Sequence, residues 1–271
     1  MNSKIPKRII QVWGGSLDLP LFSKASAENI KLLNPEFEYL FFNDESMENF
    51  INEHFPEYRS VFDSFRFPIQ RFDFFRYLAV YRLGGFYFDM DIFLASNLSE
   101  LLNCECVFPF EELTINGFLR QEYGMDWEVG NYAFGATAGH PFIHAIIKNC
   151  IRAQEDMKWT QAIMRPIPKL FREEYLVFYT SGPGLVSRTL AEYPDAATQV
   201  KVLFPENVCD SKYWNHFGKF GVHVAQGNWR KKQSILRRWL IYAWESWERK
   251  KTLKEALELG GIRSLRFNLK T

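Results

Sequence analysis

Asp89 and Asp91, one residue apart in FYFDMD, offer two hard carboxylate donors within a short reach. Side chains alternate along a strand, so both face one way if the strand runs regularly through them. Such a pair suits Mg2+ or Mn2+, with phosphate oxygens and water completing the octahedron. Alone, a strand-end turn with two solvated aspartates is the commoner explanation. The apolar FYF before it argues instead for a buried strand ending at a sheet edge, where open α/β sheets bind ligands. Asp73 and Arg76, three apart, share a helix face. They read either as an intrahelical ion pair or as a grip on a ligand. In the second case the carboxylate accepts from sugar hydroxyls while the guanidinium forks onto hydroxyls or phosphate. Arg71 and Arg82 read as solvent charges.

Positioning these groups takes a helix, a break and a strand. Pro68 suits the first turn of a helix running to about Leu83, and Gly84-Gly85 ends it before the strand at 86–90. Upstream, residues 8–13 (RIIQVW) read as a buried strand stopped by Gly14-Gly15, and 24–33 as a helix. Residues 37–42 read as a second strand, and Asp44 or Ser46 as the cap of a helix to about His54. This β-α-β-α order builds a parallel sheet with helices outside. Downstream, strands are predicted at 106–110, 131–136, 177–180 (leading into SGPG), 200–204 and 220–225, the last closing the sheet. A helix is predicted at 140–152. Residues 111–130 read as a polar, irregular loop over a site. There Asp126 and Glu128 are either solvated charges or contacts to an acceptor. The prediction is one domain over 1–230 and a basic, amphipathic helical extension over 231–271.

The 271 residues and 47% apolar content allow one large α/β domain. Twenty-six Phe, 12 Tyr and 8 Trp fill a core and suit clefts for planar or sugar rings. A net charge of +1 gives no case for a nucleic-acid partner. Cys104, Cys106, Cys150 and Cys209 show no metal-ligand spacing and read as free thiols of a reducing compartment. No apolar run approaches a membrane span, and the basic N-terminus lacks a signal-peptide core. A cytoplasmic location, peripheral at the inner face of the cytoplasmic membrane, is the expectation.

The stretch RFDFFRYLAVYRLGGFYFDMD resembles the DxD sugar-binding region of glycosyltransferase family thirty-two, whose D-x-x-R-Y and G-G-x-Y-x-D-x-D parts occur together at these separations. PKRIIQVWGG resembles the family's opening, NPEFEYLFFND its second segment, and GHPF and SGPG its later glycine motifs. VHVAQGNW resembles its closing H-x-x-x-x-S-W. The likeness runs from about residue 5 to 230, weakest over 100–130 and 150–175. The family includes yeast mannosyltransferases, animal α-galactosyltransferases and bacterial capsule and lipopolysaccharide enzymes, and shares its core with glucosylating clostridial toxins.

The resemblance implies a GT-A-type domain, a Rossmann-like mixed sheet flanked by helices, acting as a metal-dependent retaining hexosyltransferase in polysaccharide or lipopolysaccharide synthesis. It implies that Trp13 stacks on the nucleobase and that Asp73, Arg76, Tyr77, Gly85 and Asn131 serve the donor. It places Mn2+ or Mg2+ on Asp91 directly, on Asp89 through water, and beside His223. Trp229 matches a mobile-loop tryptophan that closes over the leaving diphosphate. Asn228, which stands where the motif has Ser, can still donate to phosphate. Gln11 follows Ile10 where the family has His before Gln, so that position promises little.

Negative charge on the leaving diphosphate is what a metal, a His and a Trp N–H would stabilise. Retention is open between front-face attack and a covalent intermediate. His223, within GVHVA, also fits a satisfied core histidine. UDP-hexose, with UDP-galactose foremost, is the first donor choice and GDP-mannose the second; the acceptor is a saccharide, free or lipid-linked. Rival readings are a hydrolase, which lacks a second carboxylate cluster, and a non-catalytic carbohydrate-binding or membrane-recruited scaffold with a structural metal. In the tail, Lys231, Lys232, Arg237, Arg238, Trp239, Leu240 and Trp244 fit an interfacial helix on anionic lipid, or a helix packed on the domain.

Overall fold

The computed structural model describes residues 4–15, 18–224 and 234–262. The chain opens with β1 (Arg8–Val12), α1 (Leu21–Leu33), β2 (Glu38–Phe42), α2 (Asp44–His54), α3 (Arg59–Ser64) and α4 (Pro68–Leu83). Next come β3 (Gly85–Phe88), β4 (Ile92–Leu94), β5 (Cys106–Leu113), α5 (Gly117–Tyr123), β6 (Trp127–Val129) and β7 (Ala133–Ala136). Helices α6 (Pro141–Glu155), α7 (Met157–Met164), α8 (Arg172–Thr180), α9 (Pro183–Glu192) and α10 (Ala196–Gln199) follow. Then come β8 (Lys201–Leu203), β9 (Gly221–His223) and α11 (Ile235–Glu258).

Six strands run in the order β2-β1-β3-β7-β5-β6, with β8 pairing β5, while β4 and β9 form a separate antiparallel ribbon. The fold class expected from the sequence, a mixed sheet flanked by helices, is the one observed. Strands β1, β2 and β3 are parallel, and β7 runs antiparallel beside β3. The end of β3 is therefore next to the start of β7. All four residues of β3 are buried, as befits a strand covered on both faces.

Helix α4 is the central strut. Pro68 supplies its first turn, and Gln70 folds back to accept from the Phe67 N–H. Residues 73–80 are all buried, so this helix has no solvent stripe over two turns. Gly84 (φ 65°) and Gly85 (φ 107°) then turn the chain into β3. A side chain on Gly85 would meet the Arg8 carbonyl at 2.7 Å, so only glycine fits there. Asn43, rather than Asp44 or Ser46, caps α2: its side chain accepts from the Ser46 N–H and Ser46 Oγ reciprocates.

Several expectations are corrected. Residues 177–180 end a helix, α8, and SGPG is no strand exit but the start of α9, with Pro183 in its first turn. The last strand, β9, joins β4 instead of the main sheet. Residues 111–130 are largely ordered as the end of β5, α5 and β6. Asp126 and Glu128, far from being solvated, are buried. Their charges misled the sequence reading because pairing with β5 carries β6 into the interior.

Burial pushes the Glu128 carboxyl up to about 8, partly opposed by a hydrogen bond from Thr114 Oγ1. Its pKa in the folded chain thus exceeds the unfolded value, and the folded state holds the extra proton. Stability is fully present below about 4.5 and falls as pH rises toward 8, at up to ~1.4 kcal/mol per pH unit. Glu128→Gln should flatten that slope in urea melts run across this window; an unchanged slope would assign the proton elsewhere.

Candidate active site

The carboxyl ends of β1 and β3 open on the same edge because the two strands are parallel. Asp89 follows β3 directly, and its N–H donates to the Tyr132 carbonyl at 2.7 Å. The strand does not continue to Asp91 as the alternation argument required: Met90 and Asp91 form a turn, with Met90 buried. The turn still brings the two carboxylates together, and the β4–β9 ribbon delivers a third group. Ile92 pairs with His223, and the Val224 N–H donates to the Asp91 carbonyl at 3.0 Å. Donor atoms of Asp89, Asp91 and His223 all lie within 4.8 Å of one another.

The three groups are held differently. His223 Nε2 is 3.2 Å from Asp91 Oδ1, and its ring stacks on Tyr132 at 4.4 Å. Its Nδ1 is buried without a hydrogen-bond partner among the described residues. Burial disfavours the imidazolium, yet the Asp91 and Asp89 carboxylates outweigh it and raise the His223 pKa. Asp89 Oδ1 accepts from Tyr87 Oη at 2.6 Å and pairs with Arg76 Nη1 at 3.0 Å. Burial raises the Asp89 pKa, Arg76 opposes that rise, and the neighbouring Asp91 adds to it. Two carboxylates gathered around one imidazole, with a buried ring nitrogen unsatisfied, fit a hard divalent cation as the missing positive charge.

Behind the cluster lies a buried polar network. Arg76 spans Asp73 (3.1 Å) and Asp89, stacks on the Tyr87 ring at 4.6 Å, and donates to the Asn131 carbonyl at 2.9 Å. Asn131 Nδ2 reaches Asp73 Oδ1 at 3.1 Å and Tyr77 Oη at 2.9 Å. Ser181 Oγ donates to Asp73 Oδ2 at 2.7 Å, and Tyr77 Oη donates to the Ser181 carbonyl. Burial raises the Asp73 pKa against the pull of Arg76 and Ser181. Asp73 and Arg76 are each 4% exposed, so in this structure they act on Asp89 and on one another.

Trp13, just past β1, is half-buried, and its indole N–H has no partner among the described residues. Gly85 opens β3 at the end away from Asp89 and is not brought to the cluster. Asn228 and Trp229 lie outside the described residues. Four positioning residues escaped the sequence reading. Gln11, set aside there, is fully buried; it donates to the Asp89 carbonyl at 3.2 Å and accepts from Tyr39 Oη at 2.7 Å. Tyr87, two before Asp89 and hence on its side of the strand, carried a usable signal. Tyr132 carried none, and Ser181 only its place in SGPG, since tertiary pairing alone brings both in.

Residues 23–108 match the family model described as glycosyltransferase sugar-binding region containing DXD motif. Inositol phosphoceramide mannosyltransferase 3 of Schizosaccharomyces pombe is 29% identical over 151 residues, 56% of this chain and 38% of its own length. Inositol phosphoceramide mannosyltransferase 1 of the same yeast is 25% identical over 240 residues, 88% of this chain and 66% of the relative. The chain thus spans well under half of the first of these relatives and about two thirds of the second. Among solved structures, the catalytic domain of Clostridium novyi alpha-toxin overlays at a TM-score of 0.49 and 8% identity. That overlay covers 88% of this chain and 82% of the toxin domain.

Proposed function

We propose, for a chain that carries the sugar-binding region of the DXD-containing glycosyltransferases, that it transfers a hexosyl group with retention. The donor is a nucleotide-diphosphosugar, and the acceptor is the hydroxyl of a saccharide or a lipid-linked saccharide. One observation carries the reading: Asp89, Asp91 and His223 converge at the carboxyl edge of the sheet, backed by the buried Arg76. A divalent cation held there, Mn2+ or Mg2+, would supply Lewis-acid stabilisation for charge building on a departing diphosphate.

The chain's own residues do the rest. Arg76 and Tyr87 fix one oxygen of Asp89, which restrains the carboxylate and leaves its other oxygen for a ligand. Gln11 holds the backbone of Asp89, and Tyr132 sets the plane of the His223 ring. Trp13 offers its ring for base stacking. In front-face transfer the acceptor hydroxyl attacks the anomeric carbon as its bond to the phosphate oxygen breaks, and that oxygen takes the acceptor's proton. This needs no strong protein base.

The relatives' names specify mannose on an inositol phosphoceramide, which raises GDP-mannose to stand beside UDP-galactose as the donor to test first. Purified protein with Mn2+ and a panel of nucleotide-sugars should release nucleoside diphosphate slowly from one donor. EDTA should abolish that release and added Mn2+ restore it. If every donor stays intact with metal present, the transferase reading is lost.

A further inference from the structure

Helix α11 has two unlike sides. Its inner side is fastened to the domain: Ile241 joins the core cluster around Ile115, Leu119 and Tyr179, and Thr252 Oγ1 donates to the Thr114 carbonyl at 2.7 Å. Trp244 packs on Phe171 and Tyr175, and Arg237 pairs with Glu174, so of the two readings open from the sequence these two residues follow the helix packed on the domain. The helix's acidic residues are largely committed inward too. Glu245 meets Tyr175 and Arg249, while Glu248 and Glu255 meet Arg120. Lys231 and Lys232 lie outside the described residues.

The outer side is apolar and then basic. Leu236, Trp239, Leu240, Ala243 and Trp247 recur at helical spacing on one face. Leu236, Trp239 and Trp247 are 67%, 62% and 58% exposed. The same face continues into the exposed Lys250, Lys251 and Lys254, with Lys251 over the Trp247 ring at 5.6 Å and Lys254 3.8 Å from the exposed Glu258. Two indoles and two leucines left in water along three turns mark a surface made for a partner. Among the described residues no helix is long and apolar enough to cross a membrane.

We infer that α11 seats the protein on an anionic lipid surface, with its indoles and leucines at the headgroup–acyl boundary and its lysines against lipid phosphates. Charge selects this occupant over a second copy of the chain, because the same face on a second copy offers Lys250 and Lys251 and not a row of anions. The inference uses no residue of the metal cluster and stands whether or not the transferase reading does.

The test is co-sedimentation of the full chain with phosphatidylcholine vesicles, with and without phosphatidylglycerol. Binding should require the anionic lipid and reverse at high salt. The triple variant Lys250→Gln, Lys251→Gln, Lys254→Gln should lower the partition coefficient roughly a hundredfold. The pair Trp239→Ser, Trp247→Ser should lower it at least about tenfold. Both sets change solvent-facing residues only, so their melting temperatures should match the parent; should the tryptophan pair fail to fold, the lysine set decides alone. Absence of binding, or equal binding to neutral vesicles, overturns the inference. So does a dimer in sedimentation equilibrium that the tryptophan pair dissolves.

Discussion

Asp91→Ala should lower donor turnover by at least about 10³-fold and leave the chain as stable as before. The two halves of this expectation come from the same geometry. Asp91 pairs with His223 and brings a second negative charge against Asp89, which helps to raise the Asp89 pKa. Removing it relieves repulsion between carboxylates in the metal-free protein, so the melting temperature should hold or rise. With Mn2+ and nucleotide present the order reverses. The parent should gain stability by mass action, and the variant should not. This second readout does not depend on turnover. An Asp91→Ala variant that keeps the Mn2+-dependent shift would remove Asp91 from the cation site.

Arg76→Met should cost about 3–5 kcal/mol of folding stability, among the largest effects of any single substitution outside the core. Arg76 is the cation lying between Asp73 and Asp89, and its side chain is only 5% exposed. Without it Asp73 keeps a buried charge with only Ser181 and Asn131 to satisfy it, or takes up a proton. Asp89 is less affected, since its side chain is 27% exposed and Tyr87 remains bonded to it. Adding Asp73→Asn to Arg76→Met should recover a substantial part of the loss in urea denaturation, because the uncompensated charge then disappears. Additive losses in the double variant would show that packing against Tyr87, and not charge, sets the cost.

The contrast between these two variants shows what the sequence could reveal. The D-x-x-R and DxD spacings identified residues that meet, because helix and strand periodicities are local. The same local rule gave a wrong reason for the aspartates, which converge through a turn and a distant ribbon rather than along one strand. Gln11 was passed over because Ile10 beside it departs from the family's His, and a side chain that bonds a backbone carbonyl has no chemical signature of its own. Glu128 read as a loop charge because nothing near it signals that Thr114 and Tyr179 will enclose it. The opening strands and α4 were legible through Pro68 and the Gly84-Gly85 break. Residues 177–180, the end of α8, read as a strand, since a short apolar run fits both periods and only the packing of α8 on α9 and α7 decides.

The β4–β9 ribbon has a consequence for biosynthesis. Asp89 and Asp91 leave the ribosome early, while His223 comes late and reaches them only once β9 has zipped onto β4. A nascent chain therefore carries Asp89 and Asp91 without His223 for most of its translation, and a cation site of the proposed kind would be complete only once β9, the last of the described strands, is made. Truncation before that strand should yield a protein that keeps most of its core yet never becomes chemically live.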